Sequence, residues 1–377
     1  MKKIIVLILS IFFLANLDCY SQFTLTKPDG FMEMEGYFVG YYNYRQYPAG
    51  TTNLKDNTFA VDYAVLDFDG VAKKVWVWQF KVNTVAFVIP GTDDGAIMEA
   101  NVAYNALNDA LQVKFGYGKL PFDRSSMIET IEMPYFERAQ MDKSSVYNRR
   151  DMGVTLRYSL WNKKVNFYGG VYDGIGTNVL GATNDATGSL EFVGRAEISY
   201  PARYRNQEVD LVQLQVPVIA FGIDGRYANK QSFTSLTGDT TTVFNGQKMS
   251  SSANIDFLYK GFTAHLEELR MKMTPRYSNS SDLYGKPTNY YMGGGMVASV
   301  NYLIKPIKTM VAVRYDQYNP NDILIGDTES TISYAVNYMF DNQRAMIKAQ
   351  YWQRLKDSNA PSLWKPSEFR IGFQLMF

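Results

Sequence analysis

The stretch between residues 119 and 150 holds the residue types that could do chemistry. Six of its charged side chains are basic and five are acidic. They are Lys119, Arg124, Arg138, Lys143, Arg149 and Arg150 on the basic side, and Asp123, Glu129, Glu132, Glu137 and Asp142 on the acidic side. Grouped basic side chains can lower the energy barrier for an anion that sheds its water. A near-balanced set can equally form ion pairs that hold a loop in place, so the sequence leaves both roles open.

Enzymatic and metal sites find little support in the residue types. His265 is the one histidine and Cys19 the one cysteine of the chain, which excludes a disulfide framework and a histidine-based metal cluster. In the alternation around it, His265 shares a face with Thr263 and Glu267, which predicts a wall residue rather than a base beside a nucleophile. The run Gly293–Gly295 lies inside a predicted strand, which is typical of a bend or a close approach rather than a phosphate-binding loop. We therefore expect no enzyme activity and no cofactor.

The N-terminus has the features of a secretory signal peptide. Lys2 and Lys3 precede an apolar run at residues 4–15, and small residues stand three and one positions before Gln22. The apolar run is shorter than the roughly 20 residues that cross a bilayer as a helix. We expect residues 1–21 to be removed on export, which leaves residues 22–377 as the mature chain.

Strict alternation of apolar and polar residues recurs along the rest of the chain. Near the C-terminus, Phe369, Ile371 and Phe373 alternate with Arg370 and Gly372. A period of two is typical of strands with one apolar face. It predicts sixteen strands, at residues 36–45, 58–69, 75–88, 96–104, 110–118, 151–161, 164–174, 190–200, 217–228, 250–259, 262–272, 290–303, 308–318, 329–340, 344–354 and 367–377.

The connections between these strands alternate in length. Short turns, such as Asn162–Lys163 and Lys260–Gly261, alternate with long connections, such as residues 119–150 and 273–289. This order is typical of bacterial outer-membrane barrels, which have short periplasmic turns and longer external loops. A closed barrel pairs every backbone group, as lipid requires, and sixteen strands leave an aqueous channel.

Residues 201–216 are the exception, because they form a long connection where a short turn is expected. One interpretation is that Leu211, Gln213 and Gln215 extend the following strand.

The composition agrees with such a barrel. The chain has 38 Lys and Arg against 37 Asp and Glu, so it lacks the basic balance that nucleic-acid binding needs. Aromatic residues make up 15% of it, and Tyr and Trp favour the membrane interface, where Trp161 is a candidate. No apolar run after residue 22 approaches the length of a spanning helix. A soluble secreted β-protein remains an alternative class, because its strands also alternate.

Two motifs resemble the phosphate-selective porin O and P family of bacterial outer membranes. They are Val113–Phe122 at the end of the fifth strand and Phe136–Arg138 after it, and the terminal Phe377 is similar to the sorting signal of outer-membrane barrels. The resemblance implies an all-β transmembrane antiparallel barrel of about sixteen strands, with the loop after strand five folded into the lumen. It also implies a homotrimer, recognition of the last strand by the barrel-insertion machinery, and arginines at a constriction for anions.

By position, the resemblance places Arg138 and Arg124 at that constriction. The expectation extends to further basic residues of the loop and of the inward strand faces. The expected pore-lining set is Arg124, Arg138, Lys143, Arg149, Arg150, Arg157, Arg195 and Arg314.

We therefore expect an outer-membrane porin whose partners are outer-membrane lipid and small hydrophilic or anionic solutes. It would form a water-filled diffusion channel narrowed by the loop at residues 119–150. Any anion preference should be weak, because the inward positions hold nearly equal numbers of basic and acidic side chains. The alternative is a binding or structural barrel whose long external loops recognise a ligand or a partner.

Overall fold

The computed structural model describes residues 23–46, 56–88, 95–142, 148–175, 187–233, 244–275, 290–319, 322, 328–356 and 367–377. The expected signal peptide at residues 1–21 lies outside them. Seventeen β-strands are formed within the described residues. The strands are β1 (Phe23–Lys27), β2 (Gly30–Gln46), β3 (Asp56–Ala72), β4 (Trp76–Asn83), β5 (Ile97–Ala106), β6 (Leu111–Lys119), β7 (Arg150–Leu160), β8 (Val165–Tyr172), β9 (Glu191–Tyr200), β10 (Val218–Phe233), β11 (Phe244–Tyr259), β12 (Phe262–Pro275), β13 (Tyr291–Ile304), β14 (Thr309–Asn319), β15 (Glu329–Asp341), β16 (Ala345–Lys356) and β17 (Ser367–Met376).

Sixteen of these strands close into one antiparallel barrel. Each strand from β2 to β17 pairs with the next, and β17 pairs back with β2, from Ser367 opposite Gln46 to Met376 opposite Tyr37. The predicted sixteen-stranded all-β barrel is confirmed, and each predicted strand overlaps an observed one. The short β1 is an addition to the predicted set and pairs with the start of β2.

The two faces of the barrel wall differ as the alternation predicts. On β10, Phe221 and Ile223 are 51% and 64% exposed, whereas Ala220 and Asp224 are buried. An outer surface covered by exposed apolar side chains suits lipid rather than water. The inward positions are mostly polar and buried, which is the reverse of a soluble protein.

Short turns connect the strands at one end of the barrel. In the turn after β7, Trp161, Asn162 and Lys163 all have positive φ angles, of 47°, 59° and 61°. Left-handed backbone of this kind lets the chain reverse within a few residues. Trp161 is 72% exposed there, in the position expected of an interfacial aromatic residue.

Residues 201–216 form no strand, and they do not lengthen the one that follows. β10 begins at Val218, so the interpretation that Leu211, Gln213 and Gln215 extend it is wrong. The physical reason is that the segment turns into the barrel instead of continuing along the sheet.

Hydrogen bonds fix this inward turn. The carboxylate of Asp210 accepts the backbone N–H groups of Leu214 and Gly261, each at 2.9 Å. Tyr204 and Glu208 of the same segment are buried, at 4% and 6% exposure. A connection at the turn end of the barrel therefore packs against the inner wall.

The helical segments within the described residues are short. The α-helix α1 spans Arg124–Met127, and 3-10 turns occur at Thr84–Phe87, Thr130–Glu132, Gln140–Asp142 and Lys305–Ile307. Among the described residues, no helix is both long and apolar enough to cross a membrane.

Candidate functional site: the interior of the barrel

Residues 120–142, which follow β6, contact the polar face of strands on the far side of the barrel. The side-chain amide of Asn337 on β15 donates to the Pro134 carbonyl at 2.9 Å. The side-chain amide of Gln374 on β17 donates to the Ile131 carbonyl, also at 2.9 Å. Both amides are buried and alternate with exposed or partly exposed apolar residues on their strands, so they lie on the inward face. A segment bonded to these inward faces runs along the inside of the wall.

Lys348 on β16 supplies the ammonium group of this contact. Its Nζ donates to the carbonyls of Met133 and Tyr135, at 3.0 and 3.1 Å, and lies 5.3 Å from the centre of the Phe136 ring. The side-chain oxygen of the neighbouring inward residue, Gln350, accepts the Phe136 N–H at 2.8 Å. Buried backbone groups need such partners. Side chains of the wall therefore form hydrogen bonds with successive backbone groups of the segment.

An apolar contact secures the two ends of the segment. Phe122 and Met141 pack with Leu269 and Met271 of β12 in one buried cluster. Met141 also lies over Gly295 of β13, where an added Cβ would stand 2.7 Å from the Met141 Cβ. The glycine run of β13 therefore includes a place where another segment approaches closely.

Arg124, at the start of α1, is buried among acidic groups. Its guanidinium lies 2.6 Å from Glu208 in the turn-end segment and 3.1 Å from Asp256 on β11. Its backbone N–H donates to Glu267 on β12 at 2.6 Å. Burial alone would lower the pKa of Arg124, but Asp256, Tyr204 and Glu208 outweigh burial and raise it. The side chain is 1% exposed. Its charge is therefore compensated by carboxylates and has almost no contact with solvent.

Glu129 ties the segment to β4 and to the end of β6, from which the segment starts. Its carboxylate lies 2.8 Å from the ammonium of Lys119 and 3.4 Å from that of Lys81 on β4. Burial alone would raise the pKa of Glu129, but the two lysines outweigh it and hold the pKa well below the usual range. Lys81 also pairs with Asp67 at 2.7 Å. Ion pairs thus fix the segment to β4 and β6 as hydrogen bonds fix it to β15–β17.

Arg138 holds the segment to itself. Its guanidinium donates to the carbonyls of Ser125 and Ile128, at 2.6 and 2.5 Å, and to the Thr130 hydroxyl at 3.2 Å. Hydrogen bonds from a charged donor are stronger than neutral ones. The residue is 4% exposed, so its role in this geometry is to fold the segment.

The other arginines expected from the loop lie at its return to the barrel. Arg149 is buried, and its carbonyl accepts the Leu120 N–H at 2.9 Å. Arg150 opens β7, is fully buried, and lies 3.6 Å from Glu99 on β5. Lys143 falls outside the described residues.

Two of the strand arginines are also compensated. Arg195 on β9 pairs with Asp224 at 2.5 Å and with Glu197 at 3.3 Å. Arg314 on β14 lies 3.5 Å from Asp316 and donates to the Glu137 carbonyl at 2.9 Å. Each guanidinium is therefore bound to oxygen atoms of the barrel wall or of the segment.

Arg157 differs from these arginines. It lies on β7 directly opposite Tyr168 on β8, and Tyr168 lies opposite Arg195 on β9. Arg157 is partly exposed, and it forms no ion pair with a residue that the structure describes. Arg203 interacts electrostatically with Tyr168 as well. Three basic groups therefore lie near Tyr168, together with the carboxylate of Glu197.

The two sides of the interior differ in how far their polar side chains are exposed. The polar inward side chains of β13–β16 are buried beneath the segment, and they include Ser299, Asn301, Arg314, Asp316, Ser333, Asn337, Lys348 and Gln350. On β3–β8 the inward side chains are mixed. Lys81, Glu99, Thr155 and Asn166 are buried, whereas a second group is partly exposed and includes Asp69, Gln79, Asn101, Lys114, Arg157 and Tyr168. Solvent-accessible space therefore remains beside this second group.

Comparisons with known proteins agree with a closed barrel that has an apolar exterior and a polar interior. The family model described as phosphate-selective porin O and P matches residues 40–377. The chain belongs to this family. A comparison with curated protein sequences gave no match.

Solved porin structures share the fold of this porin at low sequence identity. OmpT of Vibrio cholerae is 10% identical, with a TM-score of 0.56 over 94% of this chain and 100% of its own. An anion-selective porin from Comamonas acidovorans is 8% identical, with a TM-score of 0.57 over 92% and 100%. The outer-membrane channel DcaP of Acinetobacter baumannii is 12% identical, with a TM-score of 0.56 over 93% and 99%. This porin is an outer-membrane channel protein.

Sequence reasoning on this porin missed the contacts made by residues 201–216. Tyr204 and Glu208 bind Arg124, although neither belongs to a strand or to the charged loop. The unexpected length of this connection was the one signal for them. Lys348 stands at a polar position in the alternation of its strand, but no local pattern points to its carbonyl partners.

Proposed function

We propose that this porin is a water-filled diffusion channel for small hydrophilic solutes or ions, with at most a weak anion preference. The observation that carries the proposal is the row of partly exposed polar side chains on the inner face of β3–β8, opposite a wall whose polar side chains are buried. A solute would pass along this wall. The loop at residues 119–150 would then act as the constriction, because its described part fills the rest of the interior.

The charges along the open side support a weak preference. Arg157 and Lys114 are partly exposed basic groups, whereas Asp69 is a partly exposed acidic one on the same side. The charges of Arg124 and Arg195 are compensated by carboxylates. Of the expected pore-lining residues, Arg157 therefore has the geometry that best fits contact with a permeating anion. One structural neighbour is described as anion-selective, which agrees with this direction.

Conductance tests the proposal directly. Purified full-length protein, folded in detergent, should give stepwise conductance increases in a planar bilayer. The same preparation after heat unfolding serves as the control, because it retains the chain but not the barrel. A bilayer that stays silent with folded protein would overturn the channel function.

The geometry around His265 supports a channel without catalysis. His265 Nδ1 lies 2.9 Å from Asp256, and Nε2 lies 3.2 Å from the Ser125 hydroxyl. That hydroxyl donates to Glu267 at 2.7 Å, so its proton is directed away from the imidazole. A general base must instead accept the proton of its nucleophile. Among the described residues, no group of three or more His, Cys, Asp or Glu is arranged to hold a metal ion.

A binding or structural barrel is the second candidate, and one observation favours it. Residues 120–142 and 201–216 enter the interior from opposite ends and meet at Arg124, as expected of a plugged barrel. In that case the bilayer stays silent, and removal of the external loops abolishes ligand binding while the barrel still folds. The loop tips at residues 234–243 and 276–289 lie outside the described residues.

Two assembly steps belong to the proposal. The backbone of Gly36 on β2 exchanges hydrogen bonds with Phe377, at 2.7 and 2.9 Å, so the last residue takes part in closing the barrel. This closure supports recognition of the last strand by the insertion machinery, and deletion of Phe377 should lower the yield of heat-modifiable barrel in membranes. A homotrimer is proposed from the family, and light scattering of the detergent-solubilised protein would count its subunits.

A further inference from the structure

We propose that residues 201–216 form a second constriction at the periplasmic end of the barrel, and that Arg124 couples this constriction to the loop after β6. The proposal rests on the channel function proposed above and goes beyond a channel narrowed by one external loop. It assigns a function to a connection at the turn end, where outer-membrane barrels have short turns.

The segment crosses a broad part of the inner wall. Tyr204 packs with Leu258 of β11 in one buried cluster. Val209 packs with Met310 of β14 and Met346 of β16 in another. A connection between β9 and β10 that reaches β16 must extend across the interior of the barrel rather than around its rim.

Polar groups of the wall fix the segment in this position. The Thr263 hydroxyl donates to the Glu208 carbonyl at 2.7 Å, and the side-chain amide of Asn301 donates to the same carbonyl at 2.9 Å. The backbone N–H of Lys260 donates to the Leu214 carbonyl at 3.0 Å. A loop hanging in water would leave such groups to solvent, whereas a docked segment needs them. The segment is therefore docked along its length.

Arg124 joins the two inward segments. It belongs to the loop after β6, but its guanidinium binds the Tyr204 hydroxyl at 2.7 and 2.9 Å and Glu208 at 2.6 Å. Its Nε also lies 3.1 Å from Asp256 of the wall. Removing this cation would leave Glu208 buried without its ion-pair partner and would leave Asp256 paired with His265 alone. Both segments should then loosen together, so neither constriction opens alone.

A double-mutant cycle, read out by single-channel conductance, tests the coupling between the two segments. Arg124→Gln removes the shared cation, and the pair Tyr204→Phe with Glu208→Gln removes its partners on the segment. Each change should raise conductance, and their combination should raise it no further than the larger single effect, because both break the same link. Arg205→Gln is the matched control, since Arg205 is an exposed arginine of the same segment. Additive increases, or no increase, would overturn the proposal.

Thiol accessibility gives a readout that does not depend on conduction. Thr263 is 4% exposed beneath Glu208, so a cysteine introduced there in a Cys19→Ser background should react slowly with a polar thiol reagent. Adding Arg124→Gln, or the Tyr204→Phe and Glu208→Gln pair if Arg124→Gln fails to fold, should accelerate the reaction several-fold. Unchanged protection in folded, heat-modifiable variants would overturn the proposal. A silent wild-type bilayer with accelerated labelling would instead overturn only the channel function.

Discussion

Arg157 on β7 and Arg195 on β9 flank the same residue, Tyr168 on β8. Both are positively charged but, among the described residues, one is paired with carboxylates and the other is not. Arg195 is buried and paired with Asp224 and with a second carboxylate. Arg157 is partly exposed and has no ion pair with a described residue. In the proposed channel, an ion moving along β3–β8 would therefore meet the charge of Arg157 with little compensation, whereas the charge of Arg195 is already paired with carboxylates.

Reversing the charge of Arg157 should change ion selectivity. A full charge about 4 Å from an ion in water is worth about 1 kcal/mol, so Arg157→Glu should raise the local energy of an anion by about 2 kcal/mol. We expect the reversal potential under a salt gradient to shift toward cation preference, with similar conductance. Arg344→Glu is the control, because Arg344 is an exposed arginine in a short turn. If the reversal potential shifted equally in both variants, the change in selectivity would not come from a charge inside the pore.

Arg138 should act on pore size rather than on selectivity. Its guanidinium binds the carbonyls of Ser125 and Ile128, and each hydrogen bond to a charged group is worth about 1.5–3 kcal/mol. Arg138→Gln should therefore loosen residues 120–142 and raise single-channel conductance, with a near-normal reversal potential. A shifted reversal potential without a change in conductance would instead identify Arg138 as a selectivity residue.

The strands could be predicted from the sequence because their signal is local. A wall between lipid and water imposes a polarity change at every residue, so Phe369, Ile371 and Phe373 reveal β17 without knowledge of its neighbours. Sixteen strands followed from that pattern. Residues 201–216 could not be predicted, because their inward turn depends on a carboxylate of the segment, Asp210, binding the backbone of Gly261 in the next turn along the barrel wall.

The ion-pair partners of the loop charges could not be predicted either, because most of them also lie far away in the sequence. The near balance of charge in residues 119–150 indicates ion pairing, but most of the partners lie elsewhere in the chain. Arg124 binds Glu208 at a separation of 84 residues, and no local pattern links them. Lys119 and Glu129 are a pair within the stretch. Charge counting therefore identified the kind of interaction without identifying its geometry.

Lys348 should be required for docking the segment on β15–β17. Lys348→Met keeps a long apolar stem but leaves the carbonyls of Met133 and Tyr135 without this donor, at a cost of about 1–3 kcal/mol for each buried group. We expect limited proteolysis of the folded barrel to cut within residues 120–142 faster than in the wild type. Lys305→Met, at an exposed turn, should leave the cleavage rate unchanged. Equal protection of both variants would show that other contacts suffice.

The docked segment should respond to pH through Asp142. Burial, followed by the charge of Glu267, raises the pKa of Asp142 from 3.8 to about 7, although Arg138 and Arg314 oppose the shift. A carboxyl whose pKa is raised on docking favours the docked state most below its ordinary pKa. That contribution falls as pH rises from about 3.8 and is lost once pH passes about 7. The segment should therefore be held more firmly at pH 5 than at pH 8.

Conductance at the two pH values checks this response. Wild-type channels should conduct more at pH 8 than at pH 5, because ionised Asp142 weakens the docking of its segment. Asp142→Asn carries no titrating proton, so its conductance should vary less between the two values and should stay near the acidic wild-type level. Asp109→Asn, at an exposed turn, should keep the wild-type response. A pH response that survives in Asp142→Asn would assign the titration to another group, such as Asp123, whose pKa is also raised by burial and by Glu267.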